Sequence, residues 1–450
     1  MKNFILVFVV LMLPSCSFDN KTGLWKDASN IPVDNQIVKS INLQNQQNMY
    51  QDVFTKKQSF NDEVDAISNS FLKIDTPITV NNWFEEYGTK TNNVSNFSYD
   101  GTNTLLSKSS KLKNLSSGDN ILFYNNNLIA SDQSGKIFIY SLSLNKKIFE
   151  YNFYQKKFKN FKKKIYFTIH NNSLYAADNL GYIYAIDLAK NSLIWAKNYG
   201  IPFRSNLKII EEQIFLVNQD NVIYSIDAIT GEKKWQFSSN PTFLKSEFKN
   251  NIAIDVFNKN LFFLNTSGEF YSINYLTQKI NWVLNLKSSS LVESSELFLS
   301  QPIVFINDSL IVSTERSILN YNTLDGSRNW SFPSNTVLKP VLTTNYTYIL
   351  SNNDLLICIE NKTGKVFWSQ NIYKNLEIKK KKIEKIYDFK IINNEISIFS
   401  KKGYYLTFNS SNGLLQKTKK ISKNGINSKI VLLNEHMFLI DNLNKLLKFN

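Results

Sequence analysis

The chain has almost no cysteine. Cys16 and Cys358 are the only two in 450 residues, which excludes a disulfide-stapled scaffold. Histidine is equally scarce. His170 and His436 each precede a strand in a polar turn, without the spacing of a metal or catalytic set. No dense acidic run stands out of the kind that converges oxygen ligands on a hard cation such as Ca²⁺. Long apolar runs are missing as well, because the stretch from Phe4 to Leu13 is too short to span a bilayer as a permanent helix. A chain of this length without disulfides has to be held by a large buried core.

What is abundant points to strands. Aromatics reach 14%, with 33 Phe and 22 Tyr, and favour pleated half-buried surfaces, while 43% apolar content excludes general disorder. The formal charge of +15 admits anionic partners such as nucleic acid or lipid headgroups. Its plainer reading is a coat of solvated lysines on a large β-protein. The N-terminus reads as an export signal, with Lys2, the apolar run and then Leu13-Pro14-Ser15-Cys16. The cysteine at that point resembles the bacterial lipoprotein signal. The resemblance implies lipidation of Cys16, cleavage before it and, with Ser17 next, sorting to the outer membrane. Two or more acyl chains anchor stably where one does not. Export also excludes nucleic acid as a partner. Residues 1–15 are thus expected to be the signal and 16–76 a lipidated cysteine with a flexible polar tether. The Asn- and Gln-rich run at 43–52 typifies that tether.

From about residue 77 to 450 one unit recurs. Its most regular copy is Asp220 to Phe237, DNVIYSIDAITGEKKWQF. Val222, Tyr224 and Ile226 alternate as in a half-buried strand, Asp227 and Gly231 make a turn, and Trp235 begins the return strand. A single hairpin cannot bury its own apolar face. Copies end their first strand at Ser141, Asp187, Asp227, Asn274, Asn322, Glu360, Asn409 and Asn450. Eight residues after each of the first six stands an aromatic: Phe149, Trp195, Trp235, Trp282, Trp330 and Trp368. Lys417 holds that place in the seventh, and the eighth stops at Asn450. Intervals of 38 to 49 residues suit one four-stranded propeller blade each. The expectation is an all-β, eight-bladed propeller closed by a strand near the N-terminus, with Val80-Asn81-Asn82-Trp83 as the candidate. Asp187 and Asp227 are expected to bond their own turns, and Cys358, in LLICIE, to be core.

These units resemble the pyrroloquinoline-quinone-type propeller repeat, over roughly residues 80–450. Two families carry that repeat on eight blades: quinone-dependent dehydrogenases, and BamB-like lipoproteins of the outer-membrane β-barrel assembly machinery. The start NNWFEEYGTKTNN is also similar to the entry segment of the latter. The dehydrogenases hold quinone and Ca²⁺ on the propeller axis above a disulfide between adjacent cysteines, and no adjacent pair exists here. The resemblance therefore implies a non-enzymatic periplasmic scaffold without cofactor or metal. It would be lipid-anchored in the outer membrane. Its partners would be BamA periplasmic domains, other subunits and unfolded barrel proteins. A quinone-dependent dehydrogenase, or an envelope propeller binding glycan or another protein, is the alternative. Gly200 to Ser205, GIPFRS, is similar to the loop with which BamB-like proteins contact BamA. That places Phe203 and Arg204 at the partner-binding positions, unless Pro202-Phe203 only packs a link between blades. Asn250 and Asn251 fall where the family has acids on the next blade. The lysine tracts at 156–164 and 379–385 lie in inter-blade connections, as solvated loops or as attractors of anionic surfaces.

Overall fold

The computed structural model describes residues 59–66, 72–112, 115, 121–154, 158, 160–239, 251–287 and 297–450, with only the backbone at 251. The signal, Cys16, the tether up to residue 58, Asn250 and part of the first lysine tract lie outside the described residues. Eight four-stranded antiparallel sheets form the blades of one propeller. Blades 1 to 7 run in sequence order across residues 122–152, 165–198, 208–238, 251–285, 304–332, 341–371 and 386–420. In each, an inner strand leads to two middle strands and an outer one. The middle strands read as unbroken apolar runs, such as Ile214–Val217 and Leu355–Ile359, because neighbouring blades cover both faces.

Turn chemistry explains much of the asparagine. Inner and second strands are joined by two-residue turns with both φ angles positive, at Asn125-Asn126, Asn171-Asn172, Asn393-Asn394 and Asn434-Glu435. Such turns match the strand twist, and asparagine tolerates them. The turns before the outer strands close on the expected acidic or amide side chain. Asp227 Oδ1 accepts from the backbone of Ile229 and Thr230, both at 2.9 Å. Asp187 does the same for Ala189 and Lys190. A one-residue bulge beside the aromatic position recurs in the first seven blades, for example between Ser225 and Ile226, and bulges re-aim the side chains beside them.

The repeat's tryptophan and glycine meet across blades rather than within one. The Trp195 indole donates to Ala228 O in the next blade's turn at 2.9 Å. Trp282, Trp330 and Trp368 donate likewise to Thr323, Asn361 and Ser410. Under the Trp368 ring lies Gly413, at φ +72°, where a Cβ would come within 2.4 Å of the indole. Gly231 stands in the same relation to Trp195. Cys358 is fully buried beside Trp368, as the strand reading expects.

The last blade corrects the expected closure. Its three C-terminal strands, Val431–Leu433, His436–Ile440 and Leu446–Phe449, are completed by Leu105–Lys108. A strand from near the N-terminus does close the ring, but it is not Val80–Trp83. Asn450 and Thr104 exchange both backbone hydrogen bonds at 3.0 Å. Trp83 instead pairs with Phe123 on the inner edge of blade 1, so it does not serve as blade 8's docking tryptophan. The expected tether also ends earlier than residue 76. Val64 exchanges two backbone bonds with Ser369 on the outer strand of blade 6, and Phe60 packs on Phe332 of blade 5. Open outer edges attract extended chain because their backbone groups lack partners.

Candidate functional site

Eight inner strands leave eight rows of backbone groups facing the axis, and such groups need partners. The chain supplies them itself with the segment from Val80 to Phe97. Trp83 and Phe123 bond reciprocally in blade 1, and Phe84 O accepts from Ile169 N in blade 2. Lys90 O and Thr91 O accept from Ile254 and Phe305, in blades 4 and 5. The Asn92 amide donates to Ile252 O and Ile303 O at 2.9 and 3.0 Å. Asn93 both donates to and accepts from Leu342 in blade 6. Phe97 N donates to Ile391 O in blade 7, and Val80 O accepts from Asn434 N in blade 8. Blade 3 is reached through a charge. Lys208, fully buried on its inner strand, pairs with Glu85 and donates to Thr89 O at 2.7 Å.

This plug carries concentrated charge. Glu85 also takes Lys90 at 2.6 Å. Burial would raise the Glu85 carboxyl, but Lys208 and Lys90 outweigh it and hold it below its ordinary value. Burial pushes the Lys208 ammonium down to about 8 despite Glu85. Nearby on blade 7, buried Asp388 pairs with Lys390 at 3.1 Å, and that ammonium lies over the Trp83 and Phe97 rings. Sequence reading missed the plug. The signal was a lysine inside the apolar inner strands LKII and FKII, where only a buried acid makes it tolerable.

The loop of Phe203 and Arg204 is placed differently from its expectation. Phe203 is fully buried, edge-on to Tyr199 and Tyr224. Its N donates to Asp178 O and Arg204 N to Val217 O, at 3.0 and 2.9 Å. The aromatic therefore packs the link between blades 2 and 3 and is not an exposed contact. Arg204 is half-buried and sits against the Tyr166 phenol. Burial pushes that phenol up to about 12, and the arginine partly offsets the rise. Asn251 opens the inner strand of blade 4. His170 ends one inner strand and His436 begins a second strand, in blades 2 and 8. Among the described residues no group of His, Cys, Asp and Glu is arranged to hold a metal. In the second lysine tract, Lys380 pairs with Asp354.

Over residues 155–370 the chain matches the family described as outer membrane protein assembly factor BamB. The chain is a BamB-like propeller of PQQ-type repeats. Among solved structures it is similar to BamB from Moraxella catarrhalis, at 11% identity and TM-score 0.57, over 77% of this chain and 97% of that one. It is similar also to the computationally designed Ika8 protein, at 9% identity and TM-score 0.57, over 77% and 99%. The quinohemoprotein alcohol dehydrogenase ADHIIG from Pseudomonas putida HK5 matches at 9% identity and TM-score 0.59, over 82% and 80%. Identities this low report the fold alone. No curated protein matches the chain in sequence.

Proposed function

We propose that this BamB-like chain is a non-enzymatic periplasmic scaffold of the outer-membrane β-barrel assembly machinery. Lipid on Cys16 anchors it to the outer membrane. The observation that carries the reading is the BamB family match in a propeller whose inner edges are bonded by its own chain. Dehydrogenases that share the repeat keep quinone and Ca²⁺ on that axis, where here Trp83 to Phe97 engage the inner edges. The ring then works through its faces, rim and loops. Its partners are the periplasmic domains of BamA and unfolded barrel strands, which can add to exposed outer edges.

Arg204 is the first loop residue to test. With Phe203 buried, the aromatic acts by fixing the loop from within, and Arg204, half-buried beside the Tyr166 phenol, is the residue offered to a partner. Purification of the tagged full chain from detergent-solubilised envelopes should recover BamA. Its absence among co-purifying proteins overturns the scaffold, and quinone-dependent dye reduction would replace it with the enzyme. Arg204→Glu should lower BamA recovery at an unchanged melting temperature. Undiminished recovery rejects the loop as the contact.

A further inference from the structure

Beneath the plug, three consecutive blades direct charge to one place. Lys339 and Lys429 precede the inner strands of blades 6 and 8 at equivalent register, two residues before Val341 and Val431, which pair with Tyr348 and Phe438. The equivalent position in blade 7 is Asp388, and Lys390 follows two residues later. One carboxylate thus faces three ammonium groups, and it is already occupied. Asp388 pairs with Lys390 at 3.1 Å and accepts from Ile430 N at 3.0 Å. The charges of Lys390 and Lys429 hold it below its ordinary value against the effect of burial. On the plug, Glu85 is taken by Lys208 and Lys90, and its neighbour Glu86 is buried as well.

Lys339 is left with partners that carry no charge. Its ammonium donates to Pro340 O at 3.1 Å and lies 5.9 Å from the centre of the Tyr87 ring, on the plug. Among the described residues it makes no ion pair, yet it sits within electrostatic reach of Lys390, Lys429 and Lys208. A cation in that company is unfavourable unless it sheds its proton or an anion joins it. We propose that Lys339, Lys390 and Lys429, set on adjacent blades under the plug, form a binding site for a small oxyanion, a phosphate or carboxylate group. Convergent ammonium groups recognise such a group by charge-assisted hydrogen bonds. Burial, with Lys390 and Lys429 adding to it, pushes the Lys339 ammonium down to about 7, so a bound oxyanion would also restore its proton. This inference is independent of the scaffold reading.

Titration calorimetry on the full chain, with inorganic phosphate and citrate as probes against chloride at matched ionic strength, tests it. At least one probe should bind with a stoichiometry of one. Lys339→Gln should weaken that binding by about tenfold or more, since a charged hydrogen-bond partner is lost. Lys339→Arg should retain it, and exposed Lys423→Gln should leave it unchanged. Affinity should fall from about pH 6 to about pH 8.5 as Lys339 loses its proton. Lys429→Gln provides the same reading should Lys339→Gln fail to fold. Absence of saturable binding by both probes, or binding indifferent to both substitutions, overturns the site. Capture on vesicles of phosphatidylcholine and phosphatidylglycerol without any response to free phosphate or citrate overturns it too, by assigning the charge to a membrane surface.

Discussion

Glu85→Gln removes the one carboxylate shared by Lys208 and Lys90 in the plug. Removing one partner of a buried ion pair typically costs about 3–5 kcal/mol, because the other charge stays buried. Here the cost has a ceiling, since Lys208 can shed its proton. Neutralising a lysine of ordinary value 10.5 at pH 7 costs about 5 kcal/mol at 1.36 kcal/mol per pH unit. In the native protein the fall from 10.5 to about 8 already represents roughly 3 kcal/mol of that. Only the last pH unit, from about 8 down to 7, is left for the substitution, so it can add about 1 kcal/mol through Lys208 and about 1 more through the lost bond to Lys90. A deficit near ~2 kcal/mol is expected in urea denaturation at pH 7. The pH dependence is sharper still. A lysine whose folded value is depressed makes stability rise with pH between its folded and unfolded values, because there the unfolded chain binds more protons. The native protein begins that rise only above about pH 8, and the variant, with Lys208 already neutral, begins it below pH 7. The gap should therefore narrow by about 1 kcal/mol from pH 7 to pH 8 and then stay constant. Adding Lys208→Met should recover most of the loss, since two well-packed neutral groups replace a broken pair. A deficit below about 1 kcal/mol, or one indifferent to pH over that unit, would refute this account of the plug.

Three further outcomes test the ring. Trp368→Ala, at a fully buried indole, should cost about 3–5 kcal/mol; thermal melting checks it. Gly413→Ala should destabilise clearly more than Gly200→Ala, because both are at positive φ but only the first meets an indole, whereas Gly200 has open space. Equal losses would show that backbone strain, and not the cross-blade contact, explains the turn glycine. Ser109→Pro, which removes the bond from Ser109 N to Leu446 O at the end of the closing strand, should raise proteolysis of blade 8 while Leu443→Pro, in an exposed turn, serves as the comparison. Equal cleavage of the two would deny that Leu105–Lys108 seals the ring.

The blades were legible in the sequence. Alternating apolar residues, an acid or amide at the turn and an aromatic eight residues on are local chemistry, and the same local chemistry builds each sheet. Closure of the ring from the N-terminal side, expected from the repeats, is made by Leu105–Lys108. Tertiary structure alone decided which strand closes it. Trp83 looked like a docking tryptophan because every other blade partner was read by residue type, but the inner edge of blade 1 offered it backbone partners that no local pattern reveals. The same holds for Phe203, whose neighbours Tyr199 and Tyr224 bury it across a blade junction. Glu85 and Lys208 stand 123 residues apart, and only ring closure brings them together. Charge inside a core is legible in a sequence as an anomaly, a lysine among isoleucines. What answers that charge is set by which strands the ring makes neighbours.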